Sequence, residues 1–251
     1  MPAELTIAVA QPRCRPLDLA ANVAEHAVAV REARARVVVF PELSLTGYEL
    51  EAPAVDPADP ALGPLVDACA AAGSVALVGA PVDEDGRRSI AMLLAGADGV
   101  RVIYRKSHLG ADELLRHAPG DGPAVVTVDG WRLGLAICKD TGVLAHTEAT
   151  AALGVEVYVA GVVHAPEELE EQDARGLRIA AACGAYVALA SSAGRTGGGY
   201  DATAGRSTIW SPAGDVLARA SQAPGDVVRA VLRPDRGSAE SRASSEAAPA
   251  G

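Results

Sequence analysis

The sequence predicts a layered α/β protein with mixed sheets and helices on the outside. Short apolar runs rich in Val, Ile and Ala alternate with helical stretches along its 251 residues. Asp-Gly turns join several neighbouring runs as hairpins, which interrupts any purely parallel arrangement. Hydrophobic residues make up 49% and charged residues 22%, enough apolar material for a buried core, but aromatics are only 3%. The core is therefore expected to consist of Ala, Val and Leu.

The elements follow in order. Leu5-Thr6-Ile7-Ala8-Val9-Ala10 reads as a buried strand. Asp18 can cap a helix that carries Leu19, Val23, Ala27 and Val30 on one face. Val37-Val38-Val39-Phe40 fits a strand covered on both faces and ended by Pro41. A Pro- and Asp-rich loop over 51–60 leads to a helix at 63–72 and a strand at 74–80. Asp85-Gly86 turns the chain into a strand at 89–95, and Ala97-Asp98-Gly99 into another at 100–105. Strands at 124–128 and 132–137 flank Asp129-Gly130. A helix at 144–153 and a strand at 155–161 follow. Pro166 with Glu167 and Glu168 starts a helix, with acids at the positive end of its dipole, and Gly184 ends it. Strands are expected at 186–191, 203–211, 216–219 and 226–232. Residues 1–233 read as one domain, and 234–251, dominated by Arg, Ser, Glu, Ala and Gly, as a disordered tail.

Charge and composition exclude several functions. A net charge of −10 argues against a nucleic-acid surface or a polybasic membrane patch. The longest charge-free stretch, 179–194, is too short to cross a bilayer. Cysteines at 14, 69, 138 and 183 form no close pair, and the five His residues show no ligand spacing, so no metal is expected. The first residues lack a basic region followed by an apolar run, which predicts a reduced, cytoplasmic protein. Gly197-Gly198-Gly199 lacks the following Lys-Ser/Thr helix of a phosphate loop.

Scarce residues mark the candidate chemistry. Of 22 basic residues only Lys106 and Lys139 are Lys, Phe40 is the single Phe and Asn22 the single Asn. Glu42 follows the strand ending at Phe40, Lys106 follows the strand ending at Arg105, and Cys138 follows the strand ending at Ile137. Chemistry in layered α/β folds favours such carboxyl ends. Together the three supply nucleophilic acyl transfer: a thiolate to attack, a carboxylate to move protons and an ammonium to hold an oxyanion. A chain that uses Arg almost everywhere keeps Lys where a compact charge suits one oxygen.

At these residues the sequence resembles the carbon–nitrogen hydrolase (nitrilase) superfamily. The resemblance rests on Phe-Pro-Glu-Leu-Ser-Leu-Thr-Gly-Tyr at 40–48, Tyr-Arg-Lys-Ser-His-Leu at 104–109, the strand into Cys138, and Gly205-Arg206-Ser207 through Pro212-Ala213-Gly214. It implies a four-layer α-β-β-α sandwich with two mixed sheets, a Glu42-Lys106-Cys138 triad without metal or organic cofactor, and a homodimer or higher homo-oligomer. It also implies a second site glutamate, for which Glu113 is the candidate and Asp112 the alternative, and an oxyanion contact from the Lys139 N–H. The Lys139 side chain stays open between a surface charge, a partner lowering the Cys138 pKa and a contact to a substrate acid. Tyr48 and His164 are candidate substrate-binding residues, with packing the alternative for each.

Two segments depart from the family. Lys139-Asp140-Thr141-Gly142 follows the nucleophile without the Arg-Phe-Pro that many members carry, and Arg178-Ile179-Ala180-Ala181-Ala182 stands where many have Arg-Ala-x-Glu-Asn. The expected function is hydrolysis of a non-peptide C–N bond, foremost in a small linear amide, through a thioester on Cys138. Nitrilase or N-carbamoyl amide hydrolase chemistry is the alternative, so the expected partner is a small-molecule amide or nitrile. A catalytically silent binding protein on the same fold is the alternative of another class.

Overall fold

The computed structural model describes residues 2–234, so the expected tail from 235 onward lies outside the described residues. The first half runs β1 (Leu5–Ala10), α1 (Leu19–Ala33), β2 (Val37–Val39), α2 (Gly63–Ala72), β3 (Val75–Glu84), β4 (Arg87–Gly96) and β5 (Gly99–Arg105). The short α3 (Ala111–Leu114) leads to β6 (Ala124–Val128), β7 (Trp131–Ile137), α4 (Leu144–Ala152), β8 (Val157–Val162) and α5 (Leu169–Cys183). The chain continues through β9 (Tyr186–Ser191), β10 (Thr208–Trp210), β11 (Val216–Arg219) and β12 (Val227–Leu232).

Two six-stranded mixed sheets form, in the orders β12-β1-β2-β3-β4-β5 and β11-β10-β9-β8-β7-β6. β1, β2 and β3 are parallel, as are β7, β8 and β9, and antiparallel strands flank each trio. Strand alternation sorts the side chains into layers. Leu5, Ile7 and Val9 of β1 and Val37 and Val39 of β2 meet Leu133, Leu135 and Ile137 of β7 and Val157 and Val159 of β8 between the sheets. Ala8, Ala10, Val38 and Phe40 turn outward to Val23, Ala27 and Val30 of α1 and Leu65 and Ala68 of α2. On the other outer face Ala136, Tyr158 and Ala160 pack with Ile179 and Ala180 of α5 and with Trp210. This is the four-layer α-β-β-α sandwich the resemblance implies, and its core is mostly aliphatic, as the composition predicts, with Phe40, Trp131, Tyr158 and Trp210 also buried in it.

Asp18 caps α1 by accepting from the Ala21 N–H at 3.0 Å. Gly184 ends α5 in the left-handed conformation. The strand expected over 203–211 is only Thr208–Trp210. Gly205 and Arg206 both have positive φ, and the segment before β10 hydrogen-bonds instead to His164, Ser192 and Ser221. β3 runs on to Glu84, past Pro81, because beyond Leu77 it pairs only with β4 and tolerates a missing N–H. α3, at four residues, is too short to show a periodicity.

Candidate active site

The carboxyl ends of β2, β5, β7 and β8 open at one end of the sandwich, onto a cavity of about 400 Å³. Lys106, Glu113, Cys138, Lys139, Tyr48 and His164 line it. Glu42 lies buried behind them.

Glu42 is placed by close backbone approach. A Cβ on Gly79 of β3 would fall 2.4 Å from Leu43 N and 2.6 Å from Pro41 O. A Cβ on Gly161 of β8 would fall 2.5 Å from Phe40 O and 2.9 Å from Glu42 N. The Pro41-Glu42 backbone thus passes between one glycine from each sheet. The turn beyond it is held from α1. Asn22 accepts from Arg15 N at 2.7 Å and donates to the Arg15 and Leu45 carbonyls at 2.8 and 3.0 Å. His26 stacks on Phe40 with ring centroids 4.3 Å apart, and its Nε2 lies 2.8 Å from Ser44 Oγ.

Lys106 is buried, and its Nζ donates to Glu42 Oε1 and Glu113 Oε1, each at 2.6 Å. The other Glu113 oxygen accepts from the Gly110 N–H at 2.6 Å, so this carboxylate also caps α3. Burial disfavours the Lys106 ammonium, but Glu42, Cys138 and Glu113 outweigh it and hold the pKa above the ordinary value. Burial pushes the Glu42 carboxyl up to about 7, against the pull of the Lys106 ammonium. The second Glu42 oxygen is buried with no hydrogen-bond partner among the described residues.

Cys138 has φ +42, the left-handed region that a non-glycine residue enters at a cost. Its thiol donates to the Val163 carbonyl at 3.4 Å. Burial, reinforced by Glu42, pushes the thiol up to about 12, so the resting group is the protonated thiol. The Lys139 Nζ does not sit as a partner lowering that pKa: it donates to the Leu109 carbonyl at 2.6 Å. The positive charge that acts on the thiol is Lys106.

Tyr48 lines the cavity and packs edge-on against Tyr200, centroids 5.6 Å apart. His164 Nδ1 faces Gln172 Oε1 at 3.0 Å, and Gln172 donates to the Gly205 carbonyl at 3.0 Å. That chain fixes the Nδ1–H tautomer and leaves His164 Nε2 as an acceptor toward Arg175 Nη1 at 3.4 Å. Burial holds the His164 pKa below the ordinary value. Tyr200 and Arg175 also line the cavity, as does Gly198 of the glycine-rich loop, and nothing in the local sequence marks them. Asp112 lines it without contacting Lys106, leaving Glu113 alone in that position. Among the described residues no cluster of three or more His, Cys, Asp or Glu is placed to hold a metal ion, and no helix is long and apolar enough to cross a membrane.

The fold is an α-β-β-α sandwich with Glu42, Lys106 and Cys138 gathered at its strand ends. The sequence pattern of the carbon-nitrogen hydrolase family matches residues 6–239, and the chain belongs to that family. A hydrolase of Pseudomonas protegens is 36% identical over 61% of this chain and 58% of its own length. An (R)-stereoselective amidase of a Pseudomonas species is 30% identical over 62% of this chain and 59% of its own. The chain thus aligns with less than two thirds of either relative. Among solved structures, a variant of the amidase from Nesterenkonia sp. AN1 superposes with a TM-score of 0.79 at 25% identity, over 95% of this chain and 96% of that one. It carries the acetamide moiety of fluoroacetamide added covalently at its active-site cysteine.

Proposed function

We propose that residues 1–233 form a cysteine-dependent hydrolase of small linear amides that works through a thioester on Cys138. The observation that carries this reading is the buried Lys106 ammonium, bonded to Glu42 and Glu113 beside the Cys138 thiol. The similarity to two amidases, one of them modified at its cysteine, supports it.

In this mechanism Cys138 Sγ attacks the amide carbonyl carbon and its proton passes to Glu42. The carbonyl π pair becomes an oxyanion, held by the Lys106 ammonium and the Lys139 backbone N–H. Collapse breaks the C–N bond as Glu42 returns the proton to the leaving nitrogen. Water, deprotonated by Glu42, then attacks the thioester, and the acid departs as the thiol is reprotonated. A carboxyl near 7 suits both roles, because base and conjugate acid are each populated at neutral pH. Glu113 holds Lys106 in place, and Tyr48 and His164 form walls for the acyl group.

The test measures ammonia release from acetamide, butyramide, butyronitrile and an N-carbamoyl amino acid, by wild type and Cys138→Ala. Ammonia from the amides, absent in the variant, is expected. Turnover of the nitrile alone, or carbon dioxide accompanying ammonia, would redirect the reading to nitrilase or N-carbamoyl chemistry. Amide hydrolysis that survives Cys138→Ala would refute it, and no turnover at all would favour a silent binding protein. We further propose a homodimer or higher homo-oligomer; exposed Leu144 on α4 and Leu177 on α5 support this, and light scattering tests it.

A further inference from the structure

Asp140 lies two residues beyond Cys138 and is fully buried. A buried carboxylate is costly unless its oxygens are satisfied. Here four donors meet it. Oδ2 accepts from the Ile137 N–H at 3.0 Å and the Tyr104 hydroxyl at 2.7 Å. Oδ1 accepts from the His108 N–H and from His108 Nδ1, both at 2.9 Å.

The origin of these donors is informative. Ile137 immediately precedes the nucleophile, whereas Tyr104 and His108 flank Lys106 by two residues on either side. One carboxylate therefore ties the end of β7 to the lysine segment of the opposite sheet. Its proton on Asp140, the Tyr104 hydroxyl accepts in turn from His146 Nε2 at 2.9 Å, which anchors the group to α4. The turn Asp140 closes is the one where Cys138 holds φ +42. Thr141 Oγ1 secures the far side of that turn by donating to the Cys138 carbonyl at 2.6 Å. Strained backbone at a nucleophile persists only where the surroundings over-determine it.

We propose that Asp140 is a positioning residue that sets the Cys138–Lys106 geometry by clamping the strained nucleophile turn to the lysine segment. The inference rests on the amidase reading for its kinetic readout, but not for its chemical one. Asp140→Asn keeps the shape and turns an amide N–H₂ toward two of the donors, so bonds on one side are lost.

The experiment uses the full chain, with butyramide turnover and iodoacetamide alkylation of Cys138 followed by mass spectrometry, below each variant's unfolding temperature. For Asp140→Asn the expected result is kcat lowered about 100-fold with KM within about 3-fold, the signature of misplacement rather than lost binding. Alkylation of Cys138 is expected to slow as well. Unchanged kcat, or a rise in KM alone, overturns the proposal. If Asp140→Asn does not fold, His108→Ala and Tyr104→Phe each remove one donor. A kcat lowered at least about 3-fold at constant KM supports the clamp, and wild-type kcat in both overturns it. If the wild type hydrolyses no amide, alkylation decides: slower in the variants supports the clamp while the amidase reading fails, and unchanged overturns it.

Discussion

Lys106 Nζ stands 2.6 Å from Glu42 Oε1, and at 2% and 0% exposure both side chains are sealed from water. Glu113 holds the same ammonium at the same distance. One buried cation thus serves two carboxylates beside a thiol that burial keeps protonated. In the proposed mechanism a proton moves from sulfur to Glu42 only as a carbonyl accepts the new bond.

Removing that cation should be severe on two counts. Lys106→Met leaves two buried carboxylates uncompensated, at a cost of about 3–5 kcal/mol in unfolding free energy. Loss of the oxyanion contact should lower kcat by about 100-fold or more. Lys106→Arg should not restore activity, since a planar fork does not reproduce a compact ammonium. Urea titration and steady-state kinetics check both effects.

The pH dependence follows from Glu42, whose carboxyl burial raises to about 7. In the proposed mechanism Glu42 must be ionised before it can take the thiol proton. Hence kcat/KM should climb as pH rises through about 7 and fall about tenfold per unit well below it. A pH–rate profile that is flat from about pH 5.5 to about pH 8 would contradict this assignment.

Gly161 should be intolerant of a side chain. Gly161→Ala puts a Cβ against Phe40 O and Glu42 N, so the Glu42 backbone must move. The expected cost is about 1–3 kcal/mol, with a fall in kcat. Gly63→Ala, where nothing lies within 4 Å, should leave both unchanged. Thermal unfolding and butyramide kinetics on the pair check the contrast.

The Glu42 turn should also weaken in acid. Burial lowers the His26 pKa to about 4, whereas an unfolded His titrates near 6.5. Between those values the unfolded chain binds a proton the folded chain does not. The stability that neutral His26 contributes is therefore complete above about pH 6.5 and is lost as pH falls toward about 4. Melting temperature against pH should drop more steeply in wild type than in His26→Gln across that window.

Much of the site was legible because scarcity and strand ends coincided: Lys106, Cys138 and the Phe40-Pro41-Glu42 segment each stand out locally. Their supports did not. Asn22, which as a lone Asn marks only a missing family motif, is the clamp on the Glu42 turn, because its partners at Arg15 and Leu45 are neighbours only after folding. Asp140 reads as part of a divergent loop, since three of its four donors come from a distant segment. Gly79 and Gly161 carry no local signal, because their constraint is the approach of another chain segment to the backbone. The succession of strands and helices along the chain was readable from turns and β-branched runs, but the shortened β10 was not, as its limits are set by bonds to His164, Ser192 and Ser221.

The most direct test of the central claim is mass analysis of acid-quenched protein during butyramide turnover, with the modified peptide sequenced. The account predicts one butyryl group on Cys138 as a thioester, absent in Cys138→Ala. Sustained amide hydrolysis with Cys138 unmodified, or an acyl group on another residue, would contradict it.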